Sequence, residues 1–367
     1  MKLGFGIMRL PQNEEGKVDE QEGIDLIRYA IDHGIQYIDT GYTYHGGMSE
    51  TIIGKALKDG YREKVILADK MPIWFVESEE DLEKYFTEQM QRLDVDCIDR
   101  YLIHNVITAN WKITQKYNAF PFLKKKQEEG LIKEIGFSFH GDYDLFREVI
   151  EAHPWDFCQI QLNYVDKDTQ ATLKGLEYAN QKGLDVVVME PLKGGRLTGK
   201  IPSAVQEIWD RAVACGVAPA ERTPAEWGLK WVASQKGVSY ILSGMNTYEQ
   251  LDENIALFSR GDFAEMSEEE NAIVEEAGKV YNSLIKYGCT DCEYCLPCPK
   301  EIRIPKIIDF LNAWFAYDRN PSTKEEYLSW LRAFGSDCVG CKACEAKCPQ
   351  GLPIASIMEE AVEEFGK

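Results

Sequence analysis

Eight of the eleven cysteines in this chain crowd into two short runs near its end, and each run closes on Cys-Pro. The first is Cys289, Cys292, Cys295 and Cys298 before Pro299; the second is Cys338, Cys341, Cys344 and Cys348 before Pro349. Thiolates separated by two residues let one loop take three corners of an iron–sulfur cubane, while the fourth cysteine crosses to a neighbouring cluster. On that logic Cys289, Cys292, Cys295 and Cys348 hold one 4Fe–4S cluster, and Cys338, Cys341, Cys344 and Cys298 hold a second. The first run has two residues rather than three before its Cys-Pro, which ties Cys298 to its cluster less tightly than Cys348. Zinc is the competing reading, since paired Cys-x2-Cys knuckles supply four ligands per site. Three evenly spaced cysteines plus a distant Cys-Pro, repeated twice, fit cubanes better. Disulfides are disfavoured by a cytosolic composition and the lack of a secretory signal.

The remaining composition narrows the setting. A length of 367 residues accommodates a large barrel and a small appendage, and 44% hydrophobic with 28% charged residues is ordinary for a globular protein. A formal charge of −20 argues against nucleic acid and acidic membranes as partners, because both need a basic footprint. No apolar run approaches the roughly 20 residues of a membrane helix. The start, MKLGFGIMRLP, lacks the apolar core and cleavage site of a signal peptide, so a cytoplasmic location is expected. Cys97, Cys158 and Cys215 lie outside the two runs and are expected to be buried small hydrophobes.

Along the first 285 or so residues, strand-length apolar runs alternate with amphipathic helical stretches. Candidate strands are Leu3–Met8, Gln36–Thr40, Val65–Asp69, Ile98–Ile103, Ile132–Ser138, Phe157–Leu162, Asp185–Met189 and Val238–Leu242. Helical spacing marks Ser78–Leu93, Tyr117–Glu129, Asp142–Ala152, Asp168–Lys182 and Tyr248–Phe258. Eight strand–helix units predict an α/β fold, the (β/α)8 TIM barrel, with its active site at the C-terminal strand ends. A doubly wound open sheet is the alternative. It needs a Gly-rich turn after the first strand, whereas Gly4-Phe5-Gly6 falls inside that strand.

Ionisable groups gather at those ends. The second strand finishes at Asp39, with Tyr44 five residues on; the third finishes at Lys70 and the fourth at His104. Burying such groups costs energy unless they pair, so four at one end of three consecutive strands point to chemistry rather than packing.

With these residues in view, the chain resembles the aldo-keto reductase superfamily over about residues 1–260. The matching stretches are DTGYTY, SETIIGKAL, the Lys70 and His104 strand ends, RLDVDCIDRYLIH, GLIKEIGFS, QIQLNY, PLKGG and LDENI. With its ferredoxin-like tail it is similar to the subgroup carrying two C-terminal 4Fe–4S clusters. The resemblance implies Tyr44 as general acid–base, Lys70 and Asp39 as the pair that tunes it, and His104 as the group orienting a carbonyl. Physical chemistry supports each role. A phenol of pKa near ~10 is a sluggish donor at neutral pH. A close ammonium stabilises its phenolate, and an imidazole N–H can meet developing charge on oxygen.

The resemblance also implies a nicotinamide site, and here the sequence departs from the family pattern. Ser138 and Gln161 fit the carboxamide grip, but Phe139 stands where Asn is expected. Met189, followed by Glu190, stands where an aromatic would stack. After the last strand, Gly244 and Gln250 replace the cations that bind a 2′-phosphate, while Glu253 and Asn254 match adenine-contacting positions. Loss of both cations favours NAD(H) over NADP(H). Gly194 and Gly195, after Lys193, offer backbone N–H groups to a pyrophosphate or form a plain turn. Arg9 and Glu190 either pair across the barrel mouth or leave Arg9 to grip an anionic substrate. His140, Trp74 and Trp111, with Phe75, are expected in the pocket wall.

The expected organisation is a barrel over 1–265, a linking helix over 266–288 and a ferredoxin-like domain over 289–367. Helices are expected over Lys306–Tyr317 and Thr323–Phe334, their aromatics Phe310, Trp314, Phe315, Tyr327, Trp330 and Phe334 covering the clusters or packing the tail. The function this points to is an oxidoreductase acting on a small carbonyl-like substrate, its clusters exchanging electrons with a ferredoxin-like partner. One alternative is a nicotinamide-dependent reductase whose clusters only stabilise the tail. The other is a non-enzymatic iron–sulfur carrier or sensor.

Overall fold

The computed structural model describes residues 2–13, 17–199, 201–316, 319 and 321–367. Eight parallel strands close into a barrel in sequence order: β1 (Lys2–Gly6), β2 (Tyr37–Asp39), β3 (Ile66–Met71), β4 (Ile98–Val106), β5 (Ile132–Phe139), β6 (Phe157–Gln161), β7 (Asp185–Met189) and β8 (Val238–Ser243). β1 pairs with both β2 and β8, which closes the ring and excludes the open sheet. Gly4 lies within β1, as the sequence suggests. A side chain there would strike Leu242 Cδ2 at 2.6 Å, so this glycine makes room inside the barrel.

Strand alternation stacks the barrel interior in layers. At the N-terminal end Arg100 reaches Glu134 and Asp185 at 2.6 Å each and lies 4.9 Å from the Phe157 ring centre. An apolar layer of Tyr37, Ala68, Leu102, Phe157, Val187 and Leu242 follows. The polar residues Asp39, Lys70, His104, Ser138 and Gln159 stand on the same inward faces, toward the C-terminal ends, all buried.

The chain divides into two compact units, Met1–Pro191 with Glu226–Met266, and Leu192–Ala225 with Ser267–Lys367. The boundary therefore differs from a contiguous barrel over 1–265. The helix Ser203–Ala214, which the sequence pattern did not mark, packs with the helix Glu268–Leu284. Ion pairs Arg211–Glu276 and Arg222–Glu270 join the two segments. The latter helix opens on a capping box of Ser267 and Glu270, which fixes its start within the stretch expected to be helical.

The second unit has its own core, built from Ile304, Ile307, Ile308, Leu311, Tyr327, Ile354, Ile357, Met358 and Phe365. Its helices run Ile304–Ala316 and Pro321–Trp330; Tyr317, the expected end of the first, lies outside the described residues. The second helix stops short of Phe334. Trp314 and Tyr327 are buried in this core, but Trp330 is 79% exposed, so it is not part of the packing face. Cys158 is buried as expected, Cys97 is half-buried and Cys215, at the end of Ser203–Ala214, is exposed. Among the described residues no helix is long and apolar enough to cross a membrane.

The helix Met48–Ala56 packs so closely on the helix Glu79–Leu93 that a Cβ at Gly54 would sit 2.6 Å from the Leu93 carbonyl oxygen. Backbone cannot step aside as a side-chain tip can. Gly54→Ala is expected to destabilise the chain by about 1–3 kcal/mol, the usual cost of overpacking, read as a lower urea midpoint.

Candidate functional site

The site is organised around one buried ammonium. Lys70, 1% exposed, places Nζ 2.5 Å from Asp39 Oδ1 and also donates to the Thr40 carbonyl oxygen. Burial alone would lower its pKa, but the Asp39 carboxylate and then Tyr44 outweigh that, so the lysine is raised and stays charged. Lys70 lies 4.9 Å from the centre of the Tyr44 ring. His104 meets the same ring edge-on at 5.8 Å, and Trp74 lies 5.0 Å from the imidazole. The structure thus brings Asp39, Tyr44, Lys70, His104 and Trp74 together.

Local backbone chemistry sets the tyrosine. The Gly41 carbonyl accepts from the Tyr44 N–H at 3.0 Å, and a Cβ on Gly41 would lie 3.2 Å from both Tyr44 Cζ and His104 Cε1. His45, Gly46 and Gly47 then follow in left-handed conformation, with φ of 52°, 65° and 91°. Glycine adopts this freely, whereas His45 is held there by its side chain, whose Nε2 accepts the Leu10 N–H at 3.0 Å. Burial and then the charge of Arg9 lower His45 to about 4, which keeps that acceptor unprotonated.

Behind β3 a second buried network grips the lysine's own backbone. Asp69 Oδ1 accepts the Lys70 N–H at 2.8 Å, and Gln89 Nε2 donates to Asp69 at 2.6 Å, to the Lys70 carbonyl at 3.0 Å and to Glu50 at 3.0 Å. Burial and then Glu50 push Asp69 well above the carboxylate range, while Arg92 balances Glu50 at 2.9 Å. Sequence reading missed Glu50, Asp69 and Gln89. The signal available was a glutamate and a glutamine at inward-facing positions of amphipathic helices.

The mouth differs from expectation in several places. Phe139 turns outward, its ring 4.8 Å from Phe146 on the helix Tyr143–Ala152, while Ser138 and His140 take the inward positions. Ser138 Oγ accepts the Asn105 N–H at 2.8 Å and retains a hydrogen to donate. Gln161 donates to Asp166 and accepts from Gln170, both at 3.0 Å, so its amide is engaged by the following loop. Gln159, overlooked in the sequence, is the glutamine beside Asp39. It donates to Asp39 Oδ2 at 3.3 Å, and its buried Oε1 has no hydrogen-bond partner among the described residues.

Trp111 is a correction. It is 2% exposed, with its indole N–H donating to Glu148 at 2.7 Å, so it packs among helices rather than lining a pocket. Arg9 lays its side chain over Gly244, with Cδ 3.6 Å from where a Cβ would be. Glu190 sits past β7 with φ 53°, its carbonyl accepting from Asn163. Asn254 ties the helix Tyr248–Phe258 to β8 through Ser243 Oγ at 3.1 Å; Glu253 precedes it, half-buried. Gly194 and Gly195 belong to the second unit, in a tight turn where the Gly195 N–H is taken by the Leu192 carbonyl at 3.0 Å. That leaves Gly195 no N–H for a phosphate.

Within the second unit one cavity is lined together by Cys298, Cys338, Cys341 and Cys344, the set the sequence assigns to one cluster. Burial and then the Cys289, Cys348 and, more weakly, Cys344 thiols push Cys295 up. Cys298, Cys338, Cys341 and Cys344 wall a space rather than converge on a point, and among the described residues no group of three or more His, Cys, Asp or Glu side chains forms a single-ion site. A donor set of soft thiolates against a dry core of Ile304, Ile354 and Met358 fits iron–sulfur cubanes.

The profile of the "Aldo/keto reductase family" matches residues 2–279, and that of the "4Fe-4S dicluster domain" matches residues 288–352. The chain is 29% identical over 341 residues to "Probable aldo-keto reductase 1" of Glycine max, covering 83% of this chain and 94% of that protein. It is 28% identical over 282 residues to the "NADH-specific methylglyoxal reductase" of Escherichia coli strain K12, covering 66% and 84%. Among solved structures, the holo form of aldo-keto reductase AKR11C1 from Bacillus halodurans shares the fold, with TM-score 0.61, 22% identity and coverage of 75% and 91%.

Two outcomes test the buried groups. Removing one member of a buried pair strands the other, so Lys70→Met should cost about 3–5 kcal/mol in urea unfolding, and Asp39→Leu/Lys70→Met should recover much of it. Burial lowers His140 to about 4 and His104 well below its ordinary value. In the unfolded chain these rings protonate near pH 6.5, so between about 6.5 and about 4 that state binds more protons and stability falls with pH. His140→Asn should make the fall shallower, and an unchanged slope would remove His140 as its source.

Proposed function

The chain belongs to the aldo/keto reductase family and carries a 4Fe–4S dicluster domain, and on that footing we propose that this oxidoreductase reduces a small carbonyl compound, or oxidises the matching alcohol, with Tyr44 as general acid–base. The observation that carries the reading is Lys70, held charged by Asp39 at 2.5 Å and placed 4.9 Å from the Tyr44 ring centre. When bound, a nicotinamide supplies a hydride to the carbonyl carbon and the clusters supply single electrons. Tyr44 delivers the proton to the carbonyl oxygen, and Lys70 favours the phenolate that remains. Neutral His104 donates its N–H to the same oxygen and orients it. In alcohol oxidation the same groups run in reverse.

For the cofactor, the uncommitted Gln159 Oε1 suits the NH2 of a carboxamide, and the Ser138 hydroxyl suits its oxygen. We favour NAD(H), because Gly244 and Gln250 bring no cation to the β8 loop and a relative is named NADH-specific. Glu253 and Asn254 then serve the adenine side. Arg9 grips an anionic group of the substrate, with Trp74, His140 and Glu190 as pocket walls. A ferredoxin-like protein is the proposed electron partner: two electrons from the clusters, with two protons, would stand in for a nicotinamide hydride and its proton, so one carbonyl reduction draws on one source or the other. A second reading, clusters that only hold the tail together, is favoured by one observation: six of the eight thiols pack within or against the second unit's core.

Tyr44→Phe, with the clusters retained, should lower turnover by about 10²–10⁴-fold, the usual worth of general acid–base catalysis. Unchanged turnover would sink the assignment. Anaerobic addition of NADH to the holoprotein separates the two readings of the clusters. Bleaching of their absorbance indicates electron transfer, whereas unchanged spectra with both NADH and reduced ferredoxin leave only the structural role.

A further inference from the structure

One cation on the helix Glu79–Leu93 touches both the loop that carries Tyr44 and the network behind Lys70. Arg92 sits in the last turn of that helix. Inward, its Nη1 pairs with Glu50 Oε2 at 2.9 Å, and Glu50 is wholly buried. Glu50 Oε1 accepts from Gln89 Nε2 at 3.0 Å, and the same nitrogen donates to the Lys70 carbonyl at 3.0 Å. Outward, the guanidinium carbon lies 4.4 Å from the centre of the Tyr42 ring, and Nη2 is 3.6 Å from Glu88 Oε2. The Tyr42 hydroxyl donates to that Glu88 oxygen at 2.6 Å, and Tyr85 of the same helix meets the Tyr42 ring edge-on at 5.3 Å. Tyr42 stands two residues before Tyr44. Past Tyr44 the guanidinium is met again, since a Cβ on Gly47 would lie 3.3 Å from Arg92 Nη1.

We propose that Arg92 is a positioning residue that registers the Tyr44 loop against the Lys70 strand, gripping Tyr42 and Gly47 on one side and Glu50 on the other. This rests on the reading of Tyr44 and Lys70 as the acid–base pair. The two residues come from different elements: Lys70 lies within β3, whereas Tyr44 lies in the loop after β2, a strand of only three residues. A strand that short leaves the loop to be placed by side chains. Glu50 is a fixed anchor, because a buried carboxylate holds to the cation and amide that satisfy it. The far side of the guanidinium lies over an aromatic face, a contact suited to a planar, delocalised cation. An ammonium could neutralise Glu50, but it has neither the flat face for Tyr42 nor a second nitrogen to reach Glu88. Charge on Arg92 therefore serves the buried side, and its shape serves the loop.

The test follows Tyr44 itself and needs no substrate. Full-length holoprotein is labelled with carbon-13 at the tyrosine Cζ, whose resonance moves when the phenol ionises. The Tyr44 signal is the one that Tyr44→Phe removes. A pH titration gives its midpoint in each variant, with Lys70, Asp39 and His104 left in place, and urea unfolding checks that each variant folds. Arg92→Lys keeps the charge against Glu50 and loses the grip on the loop, so it should leave roughly tenfold less phenolate at a fixed pH below the midpoint. Tyr42→Leu should do the same, and the two together should add little, since both cut one link. Arg92→Met/Glu50→Gln removes the cation with its partner and should give the same loss if Arg92→Lys does not fold. A folded Arg92 variant or Tyr42→Leu with the parent midpoint would overturn the proposal, and so would fully additive shifts. Asp39→Leu/Lys70→Met tests the reading beneath it. If that variant keeps the parent midpoint, the pairing of Lys70 with Tyr44 fails; if it moves while the Arg92 variants do not, Arg92 alone fails.

Discussion

A charged lysine inside a barrel is the constraint to which the candidate site answers. Removing an ammonium from water costs several kcal/mol, and Lys70 recovers that only through a carboxylate, a backbone carbonyl and rigid surroundings. Each neighbouring feature follows from that need. Asp39 is buried because its partner is. Asp69 and Gln89 hold both polar groups of the Lys70 backbone, so the ammonium cannot drift from the tyrosine. Beneath it, the apolar layer from Tyr37 to Leu242 keeps water out and leaves the charge little screened. A site built this way is expensive to assemble and already organised once folded.

Much of the barrel was legible because parallel strands covered on both faces read as continuous apolar runs, and all eight sequence runs coincide with strands. Asp39, Lys70 and His104 were legible as polar residues ending such runs, and Tyr44 by its distance from them. What failed was mostly direction. Gln159 and Gln161 share the inward face of β6, and only three-dimensional placement shows that one reaches Asp39 while a loop engages the other. Trp111 occupies a loop position in sequence but lies on a short helix whose buried side takes the indole. Phe139 lies one residue from an inward position, and a strand reverses its face at every residue. Trp330 shows the reverse error, since helical spacing of aromatics did not distinguish the packed Tyr327 from an exposed neighbour.

The two halves of the chain answer to different donor chemistry. The barrel offers buried oxygen and nitrogen groups at its C-terminal end, whereas the second unit offers soft sulfur against aliphatic side chains. A hydride carries two electrons at once and a cubane passes one at a time.

The connection between β7 and β8 runs through Leu192–Ala225, which belongs with the residues after Ser267 rather than with the barrel. Synthesis on the ribosome is vectorial, so the last barrel strand emerges while the helix Ser203–Ala214 still lacks its companion, Glu268–Leu284. Its apolar face, with Val205, Ile208, Trp209 and Ala212, stays uncovered until the later segment is made. The nascent chain thus passes through a stage with its strands complete and an oily helix unshielded, the kind of surface that chaperones hold. The iron–sulfur tail emerges after both helices, so the second unit is completed later than the barrel strands.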